Sequence, residues 1–136
     1  MNQITEDYCS FEISKLLKEK GFYSEDCFAF YNKNGNIGFL QTFGDMSDYL
    51  GDNNIDAPTL QMALKWLREV HNIHIITIPY APFYRSPNHP WEADLVYIVQ
   101  MFRGIIPIES IGRSIIKLTN EQAVEAAIDY VLKNLI

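Results

Sequence analysis

The sequence predicts an α+β fold, a two-layer sandwich in which helices pack on one face of an antiparallel sheet, in the order α-ββ-α-ββ(β)-α. Three segments repeat apolar residues with helical spacing, two short aromatic runs flank Asn34-Gly35, and β-branched residues dominate 73–78 and 94–102. Because 136 residues with 48% apolar and 21% charged composition suit one hydrophobic core, we expect a single globular domain over 1–136.

The first helix is expected over residues 5–20. Thr5 is a suitable N-cap, since Glu6 and Asp7 would then lie in the first turn, where the helix dipole favours acids. Ser10 is the alternative N-cap and would shorten the helix by about one turn. Gly21 is expected to end the helix in a glycine cap.

The strand pattern begins with a hairpin that joins 27–31 to 37–40 around Asn34-Gly35, a dipeptide that accepts the positive φ angles of tight turns. Residues 73–78 and 94–102 are expected to pair with each other because both runs are apolar and β-branched. One further strand is expected near 114–117.

Two more helices are expected. The second opens after Asp56, with Pro58 in its first turn, and ends near His71. The last follows Thr119, which lies three residues before Gln122 as in a capping box. Its apolar face is continuous and comprises Ala123, Val124, Ala127, Ile128, Val131, Leu132 and Leu135.

The stretches 57–71 (APTLQMALKWLREVH) and 121–136 (EQAVEAAIDYVLKNLI) resemble segments of a family of small uncharacterised proteins from Bacteroides-type bacteria and their phages or prophages. The two stretches that carry the resemblance make up about a quarter of the chain. The resemblance implies an accessory protein of a mobile genetic element that acts inside the bacterial cell. It implies no activity and no residue roles.

The charge and hydropathy of the chain restrict the classes of partner that it is expected to bind. The chain has 11 basic and 17 acidic residues and a net charge of −6, so nucleic-acid binding, which needs Lys and Arg, is disfavoured. No apolar run approaches the ~20 residues of a membrane span, and the N-terminal residues are acidic and polar, unlike a secretion signal. We therefore predict a cytoplasmic protein without membrane contact. Mimicry of nucleic acid is an alternative if the acids of 45–56 and 121–129 share one face.

Chemistry-bearing motifs are missing. The sequence has no glycine-rich phosphate loop and no G-x-S-x-G nucleophile motif, and Cys9 and Cys27 fall in apolar patterns typical of core thiols. We therefore predict no enzyme activity, no cofactor and no metal. The alternative is a small-ligand or metal-dependent site between the sheet and the 79–91 loop, using His71, His74 or His89.

The 79–91 loop, PYAPFYRSPNHPW, holds four of the six prolines. Prolines restrict the backbone, and aromatic side chains bring large contact area with few rotatable bonds, which favours interface anchors. An Ω-loop that covers the domain's own sheet is the other interpretation. We predict a non-enzymatic accessory protein that binds a protein partner or forms a homo-oligomer, with recognition by Tyr80, Phe83, Tyr84, Arg85 and Trp91.

Overall fold

A computed structural model describes residues 5–39, 54–80, 96–108 and 115–136. The elements in chain order are α1 (Phe11–Glu19), β1 (Ala29–Tyr31), β2 (Ile37–Phe39), β3 (Ile55–Asp56), α2 (Leu60–His71), β4 (Ile73–Tyr80), β5 (Val96–Arg103), β6 (Ile106–Pro107), β7 (Ile116–Lys117) and α3 (Asn120–Asn134). In this part of the chain no helix is long and apolar enough to cross a membrane.

The strands form two antiparallel sheets. The smaller sheet has the order β2-β1-β3, and the larger has β4 beside β5, with β6 and β7 both pairing with the far side of β5. The predicted α+β class is confirmed and the expected order of elements roughly fits. The strands are nevertheless divided between two sheets instead of one, and the two-residue strands β3 and β6 were not predicted.

The core lies between the helices and one face of the larger sheet. Helix α3 packs on β4, β5 and β7 and also meets α1 and α2. The residues of α3 that are buried here are Ala123, Val124, Ala127, Ile128, Val131 and Leu132. Six of the seven residues of the predicted apolar face are therefore core residues, and Leu135 is partly buried against them.

The start of α1 corrects the expected boundary at residue 5. Ser10 is the N-cap and accepts a hydrogen bond from the Ile13 N–H at 3.3 Å. The preceding residues are extended because they pair with the segment before α2: Tyr8 forms a β-bridge with Thr59, and the Cys9 N–H donates to the Pro58 carbonyl at 2.8 Å. This pairing joins distant parts of the chain, so local pattern could not reveal it.

The end of α1 follows the expected glycine cap. Gly21 has φ +90°, a left-handed conformation that glycine tolerates without steric cost. The Phe22 N–H donates to the Leu17 carbonyl at 2.9 Å and the Gly21 N–H to the Lys18 carbonyl at 3.1 Å, which are the two bonds of a Schellman motif. Phe22 is buried as a result.

The hairpin and the second helix also match, with one shift. β1 and β2 pair around a turn in which Gly35 has φ +83°. Helix α2 begins at Leu60, later than expected, because Thr59 is the N-cap and accepts a hydrogen bond from the Met62 N–H at 3.1 Å. Pro58 thus precedes the cap. The helix ends at His71, as expected, with Asn72 in the left-handed region.

β4 is longer than its predicted counterpart. It continues through Pro79 and Tyr80, so the first two residues of the 79–91 loop belong to a strand. Proline is tolerated there because β4 pairs on one side only among the described elements. Residues 81–91 of the loop lie outside the described residues.

Candidate interaction surface

The side chains of the larger sheet divide into two faces, because successive residues of a strand point to opposite sides. On one side Ile73, Val99 and Met101 are buried in the core, and Ile75 and Tyr97 pack against it. Thr77 lies on this side too, and its hydroxyl donates to the Asn120 side chain at the start of α3. We call this side the helix-side face.

The opposite side, the outer face, is mainly apolar. The register places side chains of β4, β5 and β7 next to one another there, with Ile78 opposite Ile98 and Ile98 opposite Ile116. Its described residues are His74, Ile76, Ile78, Tyr80, Val96, Ile98, Gln100, Phe102, Pro107 and Ile116. None of the ten carries a formal charge at neutral pH when histidine is neutral, although the chain has 28 charged residues (11 basic and 17 acidic).

Several of these side chains are open to solvent. The exposed fraction is 47% for Ile76, 42% for Tyr80 and 52% for Ile116. Two eight-residue strands side by side cover roughly 26 Å by 10 Å, so the apolar patch is on the order of 300 Å². Apolar patches of a few hundred Å² are about the largest that monomeric proteins expose, and they often mark interaction sites.

The predicted recognition residues are placed only in part. Tyr80 lies at the end of β4 on the outer face, next to Ile78 and Val96 in the ladder. Phe83, Tyr84, Arg85 and Trp91 lie outside the described residues. The rest of the outer face was not predicted from the sequence. The signal was present, since Ile73-His-Ile-Ile-Thr-Ile78 is apolar at both odd and even positions, whereas a half-exposed strand normally alternates.

The alternative histidine site does not come together among the described residues. The His71 ring lies edge-on to Trp66, with the ring centroids 4.6 Å apart, and its buried Nε2 has no hydrogen-bond partner there. His74 is on the outer face, with Nε2 3.4 Å from Asn72 Oδ1. His89 lies outside the described residues. Within the ranges that the structure describes, no group of three or more His, Cys, Asp or Glu could hold a metal ion.

The two cysteines lack the environment of nucleophiles. Burial, and then the nearby Glu125 carboxylate, raise the pKa of the Cys9 thiol to about 12. Burial, and then Asp56, raise the pKa of Cys27 to about 11. A thiol reacts as its thiolate, and reactive cysteines have lowered pKa values. Both groups are therefore protonated at neutral pH. Cys9 is buried in the core as the sequence predicts, whereas Cys27 is only partly buried and lies outside the core cluster.

An open groove of about 470 Å³ runs between the start of α1 and α3. Its charged lining residues are Glu12, Glu125, Asp129 and Lys117, and Glu125 accepts a hydrogen bond from the Ser10 N–H at 3.0 Å. Two acids of the predicted 121–129 cluster, Glu125 and Asp129, therefore face this groove. The other acidic cluster comprises residues 45–56, and its residues 45–53 lie outside the described residues. That the two clusters share one face therefore stays a prediction.

Comparisons of the chain with protein-family models, with curated proteins and with solved structures find no match.

Proposed function

We propose that this protein acts without catalysis, by binding a protein partner or a second copy of itself through the outer face of the larger sheet. The observation that carries the proposal is the uncharged, apolar and solvent-exposed character of that face on a chain of net charge −6. Burying this face against another apolar surface releases about 25 cal/mol for each Å² removed from water and leaves no unpaired charge.

Other observations support association over chemistry. The described thiols are protonated at neutral pH, and the two described histidines lie apart, one against Trp66 and the other on the outer face. Tyr80, a predicted recognition residue, lies on the outer face. Its phenol ring combines a large apolar surface with a polar tip, as residues that dominate binding energy commonly do.

The cellular setting belongs to the same proposal. We infer a cytoplasmic accessory role in a mobile genetic element, which the resemblance of 57–71 and 121–136 implies. Phe83, Tyr84, Arg85 and Trp91 remain predicted contributors to recognition, because the chain that carries them leaves β4 directly after Tyr80.

The test compares two glutamate substitutions of matched exposure. Ile116→Glu places a charge on the outer face, whereas Val70→Glu places one on α2, where the exposed fraction of Val70 is 61%. Each protein is examined by light scattering for its own mass and by affinity capture with cross-linking for partners. We expect Ile116→Glu to lose at least tenfold in affinity, about 1.4 kcal/mol, and Val70→Glu to bind as the wild type does.

The proposal is wrong if the two variants associate equally well while both remain folded by circular dichroism. It is also wrong if the wild type neither self-associates nor retains a partner that purified components reproduce. Before binding is measured, the urea unfolding midpoints of both variants are compared with that of the wild type. This control excludes the possibility that the variants lose binding because they unfold.

A further inference from the structure

We propose that the free edge of β4 is a strand-addition site for a second copy of this chain, so that two β4 strands pair antiparallel across a twofold axis and join two larger sheets into one. The inference rests on the proposed function, association through this sheet, and names one partner and the contact it makes. Along β4 the backbone N–H and C=O groups alternate between β5 and the free edge, and those at the free edge are available to a second strand.

The hydrogen-bonding phase of the sheet can be read from β5. The Ile108 N–H donates to the Met101 carbonyl at 2.8 Å, so Met101 directs its peptide groups away from β4. In an antiparallel ladder this direction alternates. Val99 and Tyr97 therefore also face away from β4, and their partners on β4, Thr77 and Pro79, face away from β5.

Pro79 gives independent support for this phase. Proline has no N–H, so a position opposite Tyr97 in a hydrogen-bonded pair would lose a ladder bond. In the phase derived from Met101, the missing donor of Pro79 faces the free edge and removes nothing from the sheet. The same phase places the N–H and C=O groups of Ile75 and Thr77 on that edge, since Ile75 is the partner of Met101.

No strand among the described residues pairs with this edge, because β4 ends the sheet order. The strand is eight residues long and contains no charged side chain. Natural proteins usually protect the edge of a sheet with lysines, with bulges or by keeping the edge strand short. An unprotected edge is a template for another strand. Pro79 is the one protective residue, and it lies next to the end of β4.

A second copy fits this edge better than a charged peptide does. Two chains of net charge −6 repel each other, and this repulsion opposes close approach least where neither surface carries acidic side chains. β4 is such a place. An antiparallel strand is also self-complementary about a twofold axis, the commonest symmetry of protein dimers.

The backbone restricts the register of the dimer. When the axis passes through Ile76, Ile75 lies opposite the partner's Thr77, and these two pairs exchange four hydrogen bonds. The same register places Ile73 opposite the partner's Pro79, and because proline has no N–H, that pair can form only the bond from the Ile73 N–H to the Pro79 carbonyl. It also places the two Ile76 residues in a pair without direct hydrogen bonds, whose Cα atoms lie about 4.5 Å apart.

The first experiment removes one donor from the edge. Thr77→Pro takes away an N–H that faces the edge and leaves the bonds to β5 in place, as Pro79 already does two residues later. Thr77→Val is the matched control, since it loses the hydroxyl contact with Asn120 but keeps the N–H. In light scattering over a concentration series we expect wild type and Thr77→Val to form dimers, and Thr77→Pro to stay monomeric with at least tenfold weaker association.

The second experiment uses a cross-link and does not depend on the folding of the proline variant. In a Cys27→Ser background, Ile76→Cys should form a disulfide between two chains under mild oxidation, because about 4.5 Å between Cα atoms suits that bond. Ile116→Cys, of similar exposure but on the far side of β5, is the control and should cross-link at least tenfold more slowly.

A wild type that is monomeric at every concentration overturns the inference, as does a folded Thr77→Pro dimer or equal cross-linking at positions 76 and 116. These failures are distinct from failure of the proposed function. A monomeric wild type whose Ile116→Glu variant loses a protein partner contradicts the strand pairing alone. If Thr77→Pro weakens the dimer while Ile116→Glu changes no other association, pairing at the β4 edge is supported. The same result contradicts binding through the outer face.

Discussion

The two faces of the larger sheet are built from the same strands and have opposite surroundings. Ile73 and Ile76 are three residues apart in β4, yet one is 1% exposed and the other 47%. The difference is that α2 and α3 pack on the helix-side face. Apolarity of a strand therefore does not tell which side is buried within the chain, and the sheet carries more apolar surface than its helices cover. We propose that the apolar surface that the helices leave uncovered is the surface that associates with a partner.

The largest expected difference between the two faces is in the stability lost when a side chain is truncated, because truncation in the core leaves a cavity. Ile128 of α3 is fully buried, so Ile128→Ala should lower the free energy of unfolding by about 2–5 kcal/mol. Ile76→Ala removes the same atoms from a half-exposed position and should cost under about 1 kcal/mol. Urea unfolding followed by circular dichroism measures both, and equal losses would mean that the outer face is packed as tightly as the core.

A smaller effect should come from the N-cap of α3, the helix that packs on the helix-side face. Thr119 accepts a hydrogen bond from the Gln122 N–H at 3.1 Å, so Thr119→Ala should lower the free energy of unfolding by about 1 kcal/mol. Thr119→Ser retains the acceptor and should restore most of the stability. Thermal or urea unfolding of the three proteins checks this, and an alanine variant as stable as the serine variant would show that the cap contributes nothing.

The smallest effect should appear at alkaline pH and again depends on helix-side packing. The Cys9 thiol has a pKa of about 12 in the folded chain against 9.0 for the unfolded chain. The unfolded state therefore loses this proton first, and stability falls as pH rises above about 9 towards 12. Near pH 9.5 the expected loss is under about 1 kcal/mol.

Cys9→Ala should flatten this alkaline decline relative to its own stability at neutral pH. Cys27→Ala should flatten it less, because Cys27 is only partly buried and its pKa is raised to about 11. Urea titrations at several pH values between neutral and alkaline give the slopes. Identical slopes for wild type and Cys9→Ala would show that the Cys9 thiol ionises equally in both states.

The fold was predictable where local chemistry decides it. Gly21 and Thr119 end or begin helices through bonds within a few residues, so their patterns are readable in the sequence. Ser10 replaces Thr5 as the first cap because Tyr8 pairs with Thr59, fifty-one residues away. The separation into two sheets has the same origin, since β3 is two residues long and exists only by pairing with β1.

The candidate surface was predictable only at Tyr80. Aromatic and proline content drew attention to 79–91, whereas the isoleucines of β4, β5 and β7 have the composition of an ordinary buried strand. What distinguishes Ile76 from Ile73 is which side the helices occupy, and that depends on the packing of α2 and α3 against the sheet. A sequence pattern that is apolar on both faces indicates an excess of apolar surface without indicating which face remains open.

The most direct test of the central claim measures solvent access at both faces of one sheet. Isoleucine methyl groups are labelled, and a soluble paramagnetic agent is added to dilute protein while their NMR relaxation is recorded. We expect strong relaxation for the methyl groups of Ile76 and Ile116 and weak relaxation for those of Ile73 and Ile128. If the outer-face methyl groups are as protected as the core ones in the monomer, the chain covers its own outer face, and that face cannot be the binding surface.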